Sequence, residues 1–195
     1  MMLPLAFPHW MMHQVIAAAC RLRHEIRGSE MRYEVRSLQT VDLPEVTDVY
    51  NAACRNREST HGRRPWSVTE MSEFLFGRPS FVAYTRITKG GVIGWTALTR
   101  HHDNEGLRQT AEMSLYVQAA FRSQGVGSAL AHAVLSRAST DNLHCILAMI
   151  FADIPKVISF AERKCGLSVA GCLPGAFSDS LTNYDVLVLQ KLIVP

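Results

Sequence analysis

The chain reads as one α/β (α+β) domain with a mixed, mainly antiparallel central sheet flanked by helices. Three observations predict this. Apolar residues recur with a period of two in some stretches and 3.6 in others, so strands and helices are interleaved through most of the 195 residues. Hydrophobic residues make up 48% and charged residues 19%, enough to bury a core and too few charges for extensive disorder. Midway, a strand-like stretch, a turn holding Gly125 and Gly127 and an apolar helical run follow one another without a gap.

Each element has a local reason. Residues 32–38 alternate around Tyr33 and Val35 and predict strand β1. Thr40 or Asp42 caps helix α1, which runs to about Cys54 with Leu43, Val46, Val49 and Tyr50 on one face. Residues 55–65 hold four arginines, Gly62 and Pro65 and read as a polar loop. Ser67 with Glu70 three residues on is a capping box that starts α2, whose apolar face is Met71, Phe74 and Leu75 and which Gly77 and Pro79 end. Residues 81–87 and 92–99 are strands β2 and β3, joined by the turn Thr88-Lys89-Gly90-Gly91. After a polar loop to Gln109, residues 112–118 form β4. Helix α3 covers 124–139, with Val126, Leu130, Ala133 and Val134 inward. Residues 143–151 are nearly continuously apolar, as a central strand (β5) buried on both faces requires. Pro155 opens α4 and Gly166 follows its end. Residues 167–173 are β6, a Gly- and Ser-containing loop follows, and 184–193 are β7. The order is β1-α1-α2-β2-β3-β4-α3-β5-α4-β6-β7.

Bulk properties narrow the function. A net charge of +3 without a long Lys/Arg run suits an anionic small ligand and argues against nucleic acid. No apolar run is long enough to span a membrane. Five cysteines with no C-x-x-C pair predict mostly buried free thiols in a reducing, cytoplasmic setting, with Cys145 in the core. Residues 1–30 are read as an extension before a domain at 31–195. Met31-Arg-Tyr-Glu-Val-Arg looks like a natural beginning, so the head is either a start codon placed too early or a loosely attached helix. Arg21, Arg23 and Arg27 with few acids resemble an organelle transit peptide, whereas a basic n-region for secretion is missing. A homodimer is compatible with the sequence.

The turn Arg122-Ser-Gln-Gly125-Val-Gly127 carries the chemistry. Its glycines let backbone approach a ligand, and the following helix offers unpaired N–H groups and the positive end of its dipole. Such a turn suits a pyrophosphate. Placed between this strand and this helix, it resembles the turn of the GNAT N-acetyltransferase family. Glu112-Met-Ser-Leu-Tyr-Val117 is similar to a strand of the phosphinothricin-type acetyltransferases, as are Tyr50-Asn51, Gly94-Trp95-Thr96-Ala97 and Asp185-Val186-x-x-x-Gln190. The resemblance spans roughly residues 33–192.

It implies an acetyl-coenzyme A-dependent transferase of a small, amino-acid-like primary amine, such as phosphinothricin or methionine sulfoximine, by direct attack in a ternary complex. Arg122, Ser123, Gln124, Gly125, Val126, Gly127 and Ser128 would hold the pyrophosphate. Leu115, Tyr116 and Val117 would line the arm of the cofactor, where strands splay beside a bulge and expose amides to the acetyl carbonyl. Glu112 would be the general base; position alone favours instead a solvated strand-end residue or a partner of Arg100 or Arg108, and the resemblance puts the base role ahead. Arg100 or His102 would bind a substrate carboxylate, and Trp66 would wall the pocket, beside the plainer readings of a polar loop and of packing. His101 and His102 point to opposite faces of a strand and no further ligands follow at metal spacing, so no metal is expected. Two positions depart from the family pattern. An Asn after β5 is replaced by Ile154 or Pro155, and a His or Tyr on α4 by Ala161 or Glu162. These departures favour, as the alternative, a module that binds acetyl-coenzyme A as a sensor; a macromolecular amine acceptor has little support in the charge.

Overall fold

The computed structural model describes residues 33–62, 64–86, 90–179 and 182–193. The reading of residues 1–30 and the first half of the β2–β3 turn lie outside them. Seven strands form one sheet in the order β1-β2-β3-β4-β5-β7-β6: β1 Tyr33–Ser37, β2 Ser80–Thr85, β3 Gly91–Arg100, β4 Thr110–Val117, β5 Cys145–Phe151, β6 Ser168–Ser178 and β7 Asn183–Leu192. The helices are α1 Leu43–Arg55, α2 Val68–Leu75, α3 Val126–Thr140 and α4 Pro155–Phe160. Every strand pair is antiparallel except β4–β5.

That parallel pair decides where the site lies. It joins Thr110–Glu112 to Cys145–Leu147 and then stops. Beyond that point β4 stays bonded to β3 as far as Val117, while β5 stays bonded to β7 as far as Phe151. Each strand follows its outer neighbour, so a wedge opens between them. Backbone groups facing the wedge have no partner strand among the described residues.

Two hydrophobic layers hold the sheet. One packs Val126, Leu130 and Val134 of α3 on Leu98, Met113, Ile146 and Leu189. The other packs Val46, Val49 and Tyr50 of α1 and Met71 and Leu75 of α2 on Val82, Val92 and Trp95. A bulge serves both. Ala83 pairs with Gly94 and Tyr84 with Val92, skipping Ile93. Ile93 therefore joins the α3 layer, while Val92 and Trp95 share the opposite one. Gly94 is required here, because a Cβ would stand 2.8 Å from the Tyr116 carbonyl oxygen.

Local details differ from expectation in instructive ways. Asp42 does not cap α1 with its side chain. Its carboxylate accepts two bonds from Arg36, at 2.6 and 2.8 Å, and one from the Gln39 N–H. Burial works against its ionisation, yet these donors hold its pKa below the usual carboxylate value. The α4 segment changes at Ala161 into a wider π turn through Cys165 and ends at Gly166 with φ +69. Strand β6 does not end at 173. Pro174 and Gly175 only interrupt its ladder, and pairing resumes where Phe177 packs on Phe151 at 4.8 Å between ring centres. Cys54, Cys145 and Cys165 are buried free thiols, whereas Cys172 on β6 is exposed.

Candidate active site

Glu112 is the last paired residue of β4 before the wedge opens. Alternation puts Ala111 and Met113 into the α3 layer, so Glu112, Ser114 and Tyr116 face the α1/α2 side. Glu112 is 9% exposed. One carboxylate oxygen lies 3.9 Å from His61 Nε2 and the other 3.8 Å from His101 Nδ1. His61 Nε2 also lies 2.9 Å from Ser114 Oγ. Burial pushes the His61 pKa below the ordinary histidine value, and the Glu112 charge offsets part of that shift. The resulting group is a sheltered carboxylate between two imidazoles, one of them biased towards its neutral form.

The loop after α1 delivers His61. Read from sequence as merely polar, it straps across the wedge. Arg57 bonds Asp153 beyond β5 at 2.9 Å, and Thr60 Oγ1 donates to the Met149 carbonyl of β5 at 3.3 Å. Ser59, 2% exposed, lies 2.9 Å from the Tyr116 hydroxyl on β4. Burial raises the Tyr116 pKa, so its hydroxyl stays protonated and is directed at Ser59. The loop returns through Trp66. Asn51 holds it as a strand would: Asn51 Nδ2 donates to the Trp66 carbonyl at 2.9 Å and Asn51 Oδ1 accepts from the Trp66 N–H at 2.7 Å. Trp66 then packs on Tyr50 and Phe74, with ring centres 4.5 and 5.1 Å away, and Phe74 meets the edge of His61 at 5.4 Å. Aromatic rings thus wall the Glu112 side of the wedge.

At the other end, Gln118 closes β4 onto β3, a short 3₁₀ turn covers Ala119–Phe121, and the chain reverses into α3. Ser123 and Gly125 both take left-handed φ, +60 and +85. Gly125 is the N-cap and no side chain caps the helix; its first backbone bond is Ala129 N–H to the Gly125 carbonyl. The N–H groups of Val126, Gly127 and Ser128 are therefore left for a ligand. Helix α2 solves the same problem internally, because its Ser67–Glu70 capping box is formed. The α3 donors suit an anion such as a pyrophosphate. Gly127 has a second use: a Cβ there would press on Phe160 at 3.1 Å, so its absence lets α4 approach α3. Leu115 and Val117 are half-buried against the α3 layer.

The remaining residues proposed from the sequence are spread out. The Arg122 guanidinium folds back, donating from Nε to the Val117 carbonyl at 3.0 Å and pairing with both Glu58 oxygens at 2.8 and 2.6 Å. Gln124 donates to the Ala120 carbonyl at 2.8 Å. Arg100 is exposed and 3.6 Å from Asp103, and the exposed His102 accepts the Asn104 N–H. Arg108 faces Glu105 rather than Glu112. No bulge interrupts the β3–β4 ladder; the wedge comes from divergence alone. From α4, Ala161 is buried in the core and Glu162 is exposed. No group of three or more metal-ligating side chains occurs among the described residues. Sequence reasoning misses His61, Ser59 and Glu58. Nothing in the arginine-rich loop distinguishes them until long-range contacts bring them to β4.

Comparisons with known proteins bear on the family and the fold. A family model described as Acetyltransferase (GNAT) family matches residues 44–167. A Bacillus subtilis (strain 168) protein bearing the name phosphinothricin acetyltransferase is 28% identical over 154 residues, covering 77% of this chain and 93% of that one. An L-methionine sulfoximine/L-methionine sulfone acetyltransferase of Pseudomonas aeruginosa is 28% identical over 149 residues, 74% of this chain and 85% of its own. A crystal structure named for phosphinothricin N-acetyltransferase superposes with a TM-score of 0.74 at 26% identity, covering 84% and 99% of the two chains. The fold is shared, at a TM-score of 0.75 and 23% identity over 83% and 88%, with a Sinorhizobium meliloti phosphinothricin acetyltransferase solved with acetyl-coenzyme A.

Proposed function

Because the chain belongs to the GNAT acetyltransferase family, we propose that it moves the acetyl group of acetyl-coenzyme A to the primary amine of a small amino-acid-like substrate of the phosphinothricin or methionine sulfoximine type. The observation that carries this reading is the buried, histidine-flanked Glu112 at the mouth of a wedge whose far end is an uncapped helix start. The names of the relatives support the substrate class.

Acetyl-coenzyme A supplies an activated acyl thioester. The chain's residues do the rest. The backbone donors of Val126, Gly127 and Ser128, beside Ser123 and Gly125, receive the pyrophosphate. Along β4, Leu115 and the Val117 N–H turn backbone groups towards the wedge for the arm and the acetyl carbonyl, beside Tyr116, whereas the Val117 carbonyl accepts from Arg122. Glu112 takes a proton from the substrate ammonium, which has no lone pair until it does. Trp66, Tyr50 and Phe74 exclude water around the amine, and Arg100 and His102, both exposed, are the candidate partners of a substrate carboxylate. The mechanism is direct attack in a ternary complex. The free buried thiols suit a reducing, cytoplasmic setting.

The test is thiol release from acetyl-coenzyme A across a panel of amines. Turnover with phosphinothricin or methionine sulfoximine is expected, and Glu112→Gln should lower it about 10²–10⁴-fold. Cofactor binding without turnover on any amine would favour a sensor module instead, a reading motivated by Ala161 and Glu162, which bring no proton donor from α4 to the wedge.

A further inference from the structure

Resting on that reading, the wedge contains one more group suited to the reaction. We infer that His61 is the acceptor to which Glu112 passes the amine proton during transfer.

Four observations lead there. His61 and His101 are the ionisable side chains seen to reach the Glu112 carboxylate among the described residues. They approach it from different directions. The His101 backbone N–H bonds the Thr110 carbonyl, at the level where β4 and β5 are still paired. The His61 ring instead bonds Ser114, two residues further along β4, where the wedge is open. Second, His61 is held in place: its backbone N–H donates to Ser59 Oγ at 3.3 Å, Phe74 packs on its ring edge, and Ser114 meets Nε2. Third, the Ser114 hydroxyl suits either state of the ring, since it donates to a neutral imidazole and accepts from an imidazolium. Fourth, the His61 side chain is 19% exposed, against 11% for Glu112 and 32% for His101, so it keeps enough contact with solvent to give the proton up. The titratable groups around it are Glu112 on β4, His101 across the same carboxylate, and Tyr116 through Ser59. From α2 it meets the apolar ring of Phe74.

The protons balance. The ammonium gives its first proton to Glu112, which hands it through one bridging water, across the 3.9 Å between them, to His61 Nε2. The restored carboxylate then faces an imidazolium. Transfer forms the C–N bond and breaks the C–S bond, and the second amine proton goes to the departing thiolate. His61 releases the first to solvent. Burial biases His61 towards its neutral form at pH 7, so it is ready to accept.

The experiment follows kcat/KM against pH for the full chain with phosphinothricin, in wild type, His61→Gln and His101→Gln, with acetyl-coenzyme A affinity and Tm measured alongside. His61→Gln should lower kcat/KM on the order of 10–100-fold and shift the acid limb of the profile, with cofactor affinity unchanged. His101→Gln should leave the limb in place. A loss of rate in His61→Gln with the limb unmoved would mean a merely structural role and overturns the inference, as does a limb that moves in His101→Gln instead. If His61→Gln does not fold, the imidazole of the wild type can be titrated by NMR. Its midpoint should lie below about 6.5 and fall further in Glu112→Gln; no response to Glu112→Gln overturns the inference. A wild type that acetylates amines while His61→Gln behaves identically refutes only this proposal. A wild type inactive on every amine refutes the transferase reading beneath it.

Discussion

The two ends of the wedge are built on opposite plans. The anion end is local: Ser123, Gly125 and the first turn of α3 are nearly consecutive, and their donors are backbone N–H groups. The proton end is assembled from separate segments: Glu112 from β4, His61 from the loop after α1, and Trp66 held by Asn51. A backbone site tolerates most side chains and fails with a wrong charge or conformation. A side-chain site fails when one atom is removed.

The largest expected effect is at the proton end. Glu112→Gln keeps the size and should lower kcat/KM about 10²–10⁴-fold, as loss of general base catalysis does, with acetyl-coenzyme A affinity nearly unchanged. A parallel fall in cofactor affinity would show the ends are not separable. Gly125→Asp attacks the anion end. Asp accepts the left-handed conformation better than most residues, yet at φ +85 it is still strained, so about 1–2 kcal/mol of stability should be lost. Its carboxylate should also weaken acetyl-coenzyme A binding by at least about tenfold, or about 1.4 kcal/mol, in a calorimetric titration.

Gly94→Ala probes the shared frame. Its Cβ meets the Tyr116 carbonyl at 2.8 Å, so β3 and β4 must move apart. About 1–3 kcal/mol of stability should be lost, read as a lower Tm. The smallest effect is at Glu58→Gln. The Arg122–Glu58 pair is partly exposed, 45% and 25% for the two side chains, so it contributes about 0.2–1 kcal/mol. Releasing Arg122 should raise cofactor affinity at most about fivefold, and less at high salt.

The same contrast explains what is legible in the sequence. The Arg122–Gly127 turn can be read because a left-handed glycine and a helix start are local facts. The element order can be read because strand and helix periods are local too. Glu112 stands out only through its neighbours on β4. His61 escapes notice because its role depends on a fold-wide contact: residue 61 must cross the wedge to reach residue 112. Arg100 and His102 suggest themselves by proximity in sequence, yet their observed partners are Asp103 and Asn104. A bulge beside the wedge is the expectation; the wedge arises instead because β4 follows β3 and β5 follows β7. No local pattern encodes that divergence.

The central claim is that one wedge holds an anion site and a proton site that act together yet can be broken apart. The most direct measurement is the single-turnover rate of thiol release from acetyl-coenzyme A by Glu112→Gln, at cofactor concentrations that saturate it and with phosphinothricin as acceptor. The account predicts normal saturation by acetyl-coenzyme A and a rate on the order of 10²-fold or more below wild type. A wild-type rate at saturation would contradict it.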